Sequence, residues 1–540
     1  MEQKVNDTNV SILHNKYFLY ATEFFSGMSV MAVELGASRL LAPYFSSSQI
    51  VWTVIIGMIM IAMALGNVWG GRMADKNPNP SKLYGRLLVS AIWIALIPFV
   101  GKYVIAGVSF GVAIFIETNF LVWASMASCL VLFVFPLMLL GTVTPSLVKY
   151  TVSDLEKNGR IVGELEALNT IGSIIGTFVP TFVTIPTVGT AATFLIFAGI
   201  LALLAILYFI SAKKKRVVSA AAMILILLLG SQTGKVSFAF TSDGILYEGE
   251  SIYNYLQVQE NENSILLSTN VLVGVQSIMM KEQKLTGMYY DYALAAPFMA
   301  GIPDKGEGRL LILGLGTGTY AVLCEEYFDG MEIEGVEIDS KIVDLSREYF
   351  NLPETVEVSI NDGRAYLSNA GTYDVIMVDA YQDITIPFQM STVEFFTQVK
   401  EHLTEDGVMV VNMNMRTDTD GGMNDYLRDT IASVFSEVYT VVVRSGTNME
   451  LFASDNPDML AVFEEQLAEY DRDPELVAMM ERVRDGLAAS EPGRYILTDD
   501  KAPVELLGMR AIDELISEEL MYYKDLIRAG DFEGLIDAIQ

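Results

Sequence analysis

Seven apolar segments, each long enough to cross a lipid bilayer, occupy the first 238 residues and constrain the fold of this chain more than any other feature. They lie near residues 17–38, 50–71, 84–106, 122–147, 165–187, 189–211 and 217–238. A spanning helix needs about 20 predominantly apolar residues, because its backbone polar groups must be paired within the segment. Residues 1–238 are therefore predicted to form an α-helical, multi-pass membrane domain that contacts the lipid bilayer.

The charges of the chain divide it at the same place. Residues 1–238 carry 16 Lys and Arg against 10 Asp and Glu, whereas residues 239–540 carry 19 against 56. An acidic second half repels the phosphates of nucleic acids and favours cationic ligands. We therefore expect a soluble second half with no nucleic-acid partner, most of whose charges are solvated surface groups.

Basic residues are concentrated in alternate connections between the apolar segments, at 72–86, 149–160 and 213–216. The positive-inside rule then places these connections and the amino terminus in the cytoplasm. Residues 1–16 are polar and lack the apolar core of a cleavable signal peptide. A seventh full span would put the acidic half outside the cell. The sequence leaves three possibilities open: the last segment does not fully cross, the acidic half faces outward, or the number of spans differs.

A glycine-rich loop follows the first long apolar strand of the second half. Gly314, Gly316 and Gly318 lie in the sequence GLGTG between a predicted strand and a predicted helix, and Glu337 follows 19 residues after Gly318, at the end of the next strand. Glycine lets the backbone approach a ligand closely, and an acid at that strand end can accept hydrogen bonds from ribose hydroxyls. We predict a Rossmann-like, nucleoside-binding α/β domain over residues 301–460.

Three further acids follow predicted strands of this domain. Asp362, in NDGRAYL, is placed to accept a hydrogen bond from an adenine amino group, and Asp379 ends the fourth strand with Asp383 four residues on. Because the ends of parallel strands meet at one edge of a sheet, Asp379 and Asp383 suit a positively charged acceptor there. The alternative for Asp383 is a turn residue before Pro387.

The rest of the second half is predicted to be smaller units around this domain. Residues 245–280 alternate apolar and polar side chains, which indicates a small antiparallel β unit, and the tyrosine-rich stretch GMYYDYALAAPFMAG completes a subdomain over 245–300. Residues 461–540 are predicted to be a helical extension that contains the segment TDDKAPVE. Two cysteines and two histidines are too few for a disulfide framework or a zinc site, so we predict no metal site.

Residues 245–460 resemble the spermidine synthase family of polyamine aminopropyltransferases. YYDYALAAP resembles the tyrosine segment of that family, GLGTGT its glycine loop, VEID its ribose-binding acid, NDGRAYL its adenine-binding acid and DAYQD its catalytic DSSD motif. The first half resembles the membrane region of fused transporter-like spermidine synthases, through FFSGMSVMAVELGASRLLAPYF and GELEALNTIGSIIGTFVPTFVTIPTVG.

The resemblance implies a multi-pass cell-membrane enzyme of polyamine biosynthesis. It would transfer an aminopropyl group from decarboxylated S-adenosylmethionine to putrescine or a similar diamine and release methylthioadenosine, with no metal or other cofactor. Since soluble members of the family are dimers or tetramers, a homo-oligomer is expected from the resemblance alone.

The resemblance also implies roles for individual residues. Asp379 would be the base that takes the proton of the amine, and Tyr289 would orient the nitrogen. The implied donor-binding residues are Gly314, Gly316, Thr317, Gly318, Glu337, Asp339, Asp362 and Gly363. The implied acceptor-binding residues are Asp383, Tyr289 and Gln276.

Two features of the sequence motivate alternative functions. Thr317 stands where the family has the aspartate of GGGDGG, which leaves room for the carboxylate of intact S-adenosylmethionine and favours a methyltransferase that acts on a small amine. Glu34 lies in an otherwise apolar segment, which favours a polyamine transport or sensing protein with a non-catalytic soluble domain. The alternative for Glu34 is an interhelical hydrogen bond.

Overall fold

The computed structural model of the chain contains two compact units, Met1–Thr241 and Ser242–Gln540, each of which is described by itself. The structure describes residues 10–116, 118–151, 158–240, 243–271, 274–381, 386–414, 417, 419–444 and 448–529. The first unit is helical and the second is α/β, which agrees with the change in hydropathy and charge along the sequence.

Apolar helices make up the described part of the first unit. They are α1 (Lys16–Phe45), α2 (Gln49–Lys76), α3 (Pro80–Phe115), α4 (Phe120–Cys129), α5 (Phe135–Gly141), α6 (Val143–Thr151), α7 (Asn158–Val179), α8 (Ile185–Ser211) and α9 (Arg216–Gly230). Single π-helical turns at Leu130–Val134 and Pro180–Thr184 join α4 to α5 and α7 to α8. Proline lacks a backbone donor, so Pro136 and Pro180 account for the local widening at these turns.

Five helical stretches among the described residues have the length and apolar composition to cross a bilayer. They are Lys16–Phe45, Gln49–Lys76, Pro80–Phe115, Phe120–Thr151 and Gly159–Ser211. The last stretch has 53 residues and contains two of the predicted segments, because the backbone of Gly189 (φ 81°, ψ 169°) breaks the helix between them. The seventh predicted segment forms α9, whose 15 residues extend about 22 Å. A straight helix of that length is shorter than the hydrocarbon core, which is about 30 Å thick.

The buried Glu23 and two half-buried polar side chains connect α1 to α6 and α7. The Glu23 carboxylate accepts hydrogen bonds from Thr144 Oγ1 and from Asn169 Nδ2, the latter at 2.8 Å. Gly172 permits this close packing, because a Cβ atom there would lie 2.0 Å from a backbone carbonyl oxygen of α1. Glu23 therefore has an interhelical structural role. Glu34, on the same helix, is also buried.

The described strands of the second unit form two sheets. The strands are β1 (Ile245–Glu250), β2 (Tyr255–Glu260), β3 (Ser264–Ser268), β4 (Ser277–Met280), β5 (Gly308–Leu313), β6 (Met331–Glu337), β7 (Glu357–Ile360), β8 (Tyr373–Val378), β9 (Leu403–Met413), β10 (Glu437–Val442), β11 (Met449–Ser454) and β12 (Ala488–Ala489). Strands β1 to β4 form an antiparallel sheet in sequence order, within the segment whose alternation indicates such a unit.

The larger sheet has the strand order β12-β10-β11-β9-β8-β5-β6-β7. The five strands β9, β8, β5, β6 and β7 are parallel. Strands β11, β10 and β12 are added antiparallel at the β9 edge. The predicted Rossmann-like class of this domain is thereby confirmed. The chain builds outward from β5 in one direction and then returns to place β8 on the other side. The order of the strands thus reverses between the neighbouring strands β5 and β8. Their carboxyl ends mark the topological switch point, where ligands bind in such sheets.

Helices cover both faces of the larger sheet. They are α10 (Tyr289–Ala293), α11 (Ala295–Met299), α12 (Ile302–Lys305), α13 (Thr319–Tyr327), α14 (Ser340–Tyr349), α15 (Gly363–Leu367), α16 (Val393–Glu401), α17 (Met423–Ala432), α18 (Met459–Glu469), α19 (Pro474–Gly486) and α20 (Val504–Ala529). Phe298 and Phe463 belong to the core on one face, and Phe395 and Phe396 to the core on the other. Burial on both faces explains why the central strands read as continuous apolar runs.

Candidate active site

A cavity of about 250 Å³ opens at the switch point between β5 and β8. Five of the predicted donor-binding residues line it, together with Asp379 and the predicted acceptor residue Gln276. The five are Gly314, Gly316, Glu337, Asp362 and Gly363. The structure therefore brings most of the predicted site to one place.

The glycine loop after β5 packs directly on the chain that leaves β8. Gly314 has a φ of 91°, and a Cβ atom there would lie 2.5 Å from the carbonyl oxygen of Asp379 and 2.6 Å from the Cα atom of Ala380. Glycine is required at this position both by the backbone conformation and by the close contact. Gly318 (φ 84°) packs against Leu352 instead, and it is not among the residues that line the cavity.

Glu337, at the end of β6, is buried at the floor of the cavity. Its carboxylate accepts hydrogen bonds from the backbone N–H groups of Gly316 (2.9 Å) and Asp339 (3.0 Å). Burial raises the pKa of Glu337 to about 7, although these backbone hydrogen bonds oppose the rise. A carboxylate has about four acceptor sites, so two described bonds leave capacity for hydroxyl groups of a ligand.

Two predicted donor-binding residues make structural contacts outside the cavity lining. Asp339 caps α14, because Oδ1 accepts a hydrogen bond from the Lys341 N–H (3.0 Å) and Oδ2 accepts one from Ser251 Oγ. Thr317 borders a neighbouring cavity of about 170 Å³, and its N–H donates to Ser277 Oγ (3.2 Å). Direct contact of either side chain with a donor molecule stays a prediction.

Asp362 caps the short helix α15 at the other end of the cavity. Its Oδ1 accepts a hydrogen bond from the Ala365 N–H (2.9 Å). The neighbouring Arg364 binds both carboxylate oxygens of Asp499 at 2.7 Å, and Thr392 also donates to Asp499. The TDDKAPVE segment is therefore attached beside the predicted adenine end of the cavity.

Asp379 lies where β8 ends and accepts two side-chain hydrogen bonds. Tyr289 Oη donates to Oδ2 at 2.6 Å, and Asn412 Nδ2 donates to Oδ1 at 2.8 Å. Burial raises the pKa of Asp379 to about 7, while the hydrogen bonds from Tyr289 and Asn412 hold it lower than burial alone would. A carboxylate with a pKa near neutrality is suited to act as a general base at physiological pH.

The tyrosine-rich helix α10 forms the wall beside Asp379. Burial and the charge of Asp379 raise the pKa of Tyr289 well above its ordinary value, so Tyr289 remains a neutral donor. Its ring centroid is 4.0 Å from that of Tyr290, whose hydroxyl donates to the carbonyl oxygen of Gln276 at 2.8 Å. Asp383, the other predicted acceptor residue, lies outside the described residues.

Sequence reasoning missed two polar residues on β9 and β11, the first and second strands beyond β8 in the sheet. Asn412, on β9, holds Asp379 and accepts a hydrogen bond from Asn448 Nδ2 at 2.7 Å. Glu450, on β11, lies opposite Asn412 in the sheet and is fully buried. The available signal is a polar residue inside an otherwise apolar strand, in VMVVNM and in MELFAS.

The chain matches known proteins in the region of this site and beyond it. A model of the spermine/spermidine synthase domain matches residues 299–455. A "Probable polyamine aminopropyl transferase" of Bifidobacterium longum is 48% identical over 352 residues, which cover 62% of this chain and 78% of that protein. The polyamine aminopropyltransferase of Vibrio vulnificus is 29% identical over 212 residues, which cover 37% of this chain and 69% of that protein.

The similarity of this structure to solved structures is too low to assign a family. The crystal structure of spermidine synthase from Thermotoga maritima covers 43% of this chain and 82% of its own, with 21% identity and a TM-score of 0.35. The assignment therefore depends on the sequence matches. Since the Bifidobacterium longum relative is 48% identical and 78% of its length is covered, the chain belongs to the polyamine aminopropyltransferase family, related to spermidine synthase.

Proposed function

We propose that the chain is a membrane-bound aminopropyltransferase. It transfers the aminopropyl group of decarboxylated S-adenosylmethionine to putrescine or a similar diamine and releases methylthioadenosine. The observation that carries the proposal is the cluster of Tyr289, Asp379 and Asn412 beside a cavity lined by the glycine loop and Glu337. Membership in the aminopropyltransferase family supports the reaction type.

The described geometry supports a division of the cavity into two ends. Glu337 would accept hydrogen bonds from the ribose hydroxyls of the donor, and Asp362 would accept one from its adenine amino group. The glycine loop lets the donor lie against backbone. In this arrangement the sulfonium and its aminopropyl group would point toward Asp379, on the opposite side of the switch point.

The proposed chemistry needs a neutral amine, because an ammonium group has no lone pair for attack. Asp379 takes a proton from the acceptor ammonium, and Tyr289 holds the nitrogen near the reacting carbon. The nitrogen lone pair then forms the C–N bond while the C–S bond breaks and its electron pair goes to sulfur. The sulfonium thus becomes the neutral thioether of methylthioadenosine. Alignment of the two substrates supplies much of the acceleration in such a displacement.

The proposal includes a location in the cell membrane with the catalytic unit in the cytoplasm. In this proposal each apolar stretch crosses once, except that Gly159–Ser211, which is broken at Gly189, crosses twice, so the five stretches make six crossings. Six crossings from a cytoplasmic amino terminus return the chain to the cytoplasm at the basic residues 213–216. The short helix α9 then need not cross. The donor, a metabolite made inside the cell, would reach the site directly.

A product assay by mass spectrometry tests this function. Detergent-purified full-length protein is given S-adenosylmethionine or its decarboxylated form, together with a panel of diamines. We expect methylthioadenosine and an amine heavier by one aminopropyl group, from the decarboxylated donor alone, and no product from Asp379→Asn. S-adenosylhomocysteine with a methylated amine would instead establish the methyltransferase alternative. Ligand binding without turnover of either donor would favour transport or sensing.

A further inference from the structure

The segment TDDKAPVE contains two neighbouring acids that the proposed reaction does not use. Asp499 and Asp500 lie at the tip of a tight turn, because the backbones of Thr498 and Lys501 exchange two hydrogen bonds, of 3.1 Å and 2.8 Å. We call residues 498–501 the TDDK turn. Both acids are exposed, but their contacts differ. The side chain of Asp500 forms no hydrogen bond or ion pair among the described residues, whereas that of Asp499 forms several.

Asp499 joins the TDDK turn to two helices beside the cavity. Arg364, on α15, donates to both of its carboxylate oxygens at 2.7 Å, and Thr392, which precedes α16, donates to Oδ1 at 2.7 Å. The Asp499 N–H donates to Oε2 of Glu394, in the first turn of α16, at 3.0 Å. The bonds from Arg364 and Thr392 lower the pKa of Asp499 below its ordinary value, so Asp499 is ionised at neutral pH. A bidentate pair of this kind fixes the plane of the guanidinium as well as its position.

Arg364 also binds the wall of the cavity at the predicted adenine end. Its Nη1 donates to the carbonyl oxygen of Gln389 at 2.9 Å, and both Gln389 and Met390 line the cavity. We call residues 387–390 the cavity wall. The cavity wall packs on the start of α15, since a Cβ atom at Gly363 would lie 3.1 Å from Cε of Met390. One guanidinium group thus connects the TDDK turn, the cavity wall and α15.

The same guanidinium group lies near the acid that is predicted to bind adenine. Asp362 caps α15 through Oδ1, and its Oδ2 forms no hydrogen bond among the described residues. The charge of Asp362 acts on Arg364, so these two side chains attract each other. Asp499 competes for Arg364 through its two hydrogen bonds. Loss of the Asp499 charge would let Arg364 pair with Asp362, which would occupy the carboxylate that the ligand needs and release the cavity wall.

We propose that Asp499 is a positioning residue that sets the specificity of the donor site for adenine. By holding Arg364, it keeps the Asp362 carboxylate available to the adenine amino group and keeps the cavity wall against α15. Asp499 is not among the described residues that line the cavity, so it acts through these two groups. The inference rests on the proposed function, which places adenine at Asp362, and deepens it by assigning selection of the base to the TDDK turn. A displacement of about 1 Å in such positioning groups can cost about a hundredfold in rate.

Calorimetric titration of the full-length protein with two nucleosides tests the inference. It is done at pH 8, where Glu337, whose pKa is raised to about 7, is ionised. The probes are methylthioadenosine and methylthioinosine, which carries a carbonyl oxygen in place of the adenine amino group. The variants are Asp499→Asn and Asp500→Asn. The second is a matched control, because the same substitution removes the same charge from the neighbouring position of the TDDK turn.

Wild type and Asp500→Asn are expected to bind methylthioadenosine about tenfold to a hundredfold more tightly than methylthioinosine, which cannot donate the same hydrogen bond to a charged group. Asp499→Asn should bind methylthioadenosine about tenfold more weakly and methylthioinosine as wild type does. In steady-state assays of Asp499→Asn, the KM for the decarboxylated donor should rise about tenfold, while kcat and the diamine KM change by less than about twofold. An unchanged preference between the nucleosides in Asp499→Asn, even with weaker binding of both, would overturn the inference. An equal loss of preference in Asp500→Asn would overturn it as well.

Hydrogen exchange of wild type tests the inference if Asp499→Asn does not fold. Coupling between two sites is reciprocal, so a turn that strengthens nucleoside binding must itself be stabilised by that binding. We expect saturation with methylthioadenosine to slow exchange about tenfold in peptides of the TDDK turn and of the cavity wall, and to leave β10 unchanged. Slower exchange in the cavity wall without a change in the TDDK turn would overturn the inference.

These experiments separate the inference from the proposed function. Aminopropyl transfer by wild type, with an unchanged nucleoside preference in Asp499→Asn, would overturn the role of Asp499 and leave the enzyme activity established. A nucleoside preference that is lost in Asp499→Asn, without aminopropyl transfer by wild type, would support the inference and overturn the proposed function.

Discussion

At the scale of single residues, burial and hydrogen bonding act on the Asp379 carboxyl group in opposite directions. Burial raises its pKa, the bonds from Tyr289 and Asn412 lower it, and the outcome is a pKa of about 7. A base must be unprotonated to accept a proton. We therefore expect kcat, measured at saturating donor, to fall about tenfold per pH unit below pH 7 and to level off above it.

A pH–rate profile of Tyr289→Phe tests the origin of that value. The variant loses a hydrogen bond that lowers the pKa of Asp379, so the acidic limb should move to higher pH and activity at pH 7 should fall by about tenfold or more. Asn412→Leu should move the limb in the same direction. An acidic limb that stays at the wild-type position in both variants would contradict the assignment of this limb to Asp379.

The same carboxyl group should reduce stability where it is ionised. Its folded pKa is raised from 3.8 to about 7, so the folded state binds the proton more tightly and the contribution becomes unfavourable as pH rises through this window. The difference corresponds to at most about 4 kcal/mol. Asp379→Asn should be inactive yet more resistant to urea than wild type at pH 8, with an advantage that disappears toward pH 4. Lower stability than wild type at pH 8 would contradict this account.

Glu337 should control the affinity for the donor. Its pKa is raised to about 7 by burial, so donor affinity should weaken as pH falls below 7, when the carboxylate becomes protonated. Glu337→Gln should weaken the binding of methylthioadenosine by about tenfold to a hundredfold, since hydrogen bonds to a charged group are worth about 1.5–3 kcal/mol. Calorimetric titration measures this change, and Glu437→Gln serves as its control. Equal affinity of wild type and Glu337→Gln would remove the ribose assignment.

At the scale of secondary-structure elements, the sequence predicts the strands and helices that carry the donor end better than those that carry the acceptor end. The glycine loop and Glu337 are close in sequence, and each follows a strand, so local patterns indicate their contact. Only the pairing of β9 with β8 and β11 brings Asn412 to Asp379 and places Glu450 opposite Asn412. That register depends on packing across the whole sheet, which no local pattern reveals. At Asp339 the local pattern indicates one role and the described bonds show another: its position in VEID resembles a donor-binding position, while its carboxylate caps α14 and binds Ser251.

The contact between the glycine loop and the end of β8 can be tested with a matched pair of glycines. Gly314 and Gly306 both have positive φ values, 91° and 67°, but a Cβ atom at Gly306 meets nothing within 4 Å. Gly306→Ala should cost about 1 kcal/mol of unfolding free energy, from backbone strain alone, and keep its activity. Gly314→Ala should cost more and abolish activity, because the loop must move away from Asp379. Denaturant titrations and the product assay measure both effects. Similar behaviour of the two variants would argue against the contact.

At the scale of the whole molecule, hydropathy predicts where the helical unit ends but not how many helices cross a membrane. The predicted boundary at 238 lies beside the division between Thr241 and Ser242. The seventh apolar segment, 217–238, is longer than the helix that it forms, because α9 ends at Gly230 and a short 3₁₀ turn at Thr233–Lys235 follows. A sliding average of hydropathy over about 19 residues does not locate that end, since windows centred beyond Gly230 still include the strongly apolar run at 223–230.

The number of crossings determines the side on which the acidic unit works, and cysteine labelling can measure it. Cys129 and Cys324 are both buried, so a single exposed cysteine reports its own position. With six crossings, Thr118→Cys, between the third and fourth, faces outward, and Glu491→Cys, on the surface of the second unit, faces the cytoplasm. A membrane-impermeant maleimide should label Thr118→Cys in intact cells and Glu491→Cys only after permeabilisation. Labelling of Glu491→Cys in intact cells would require a seventh crossing, and the donor would then have to reach the site from outside the cell.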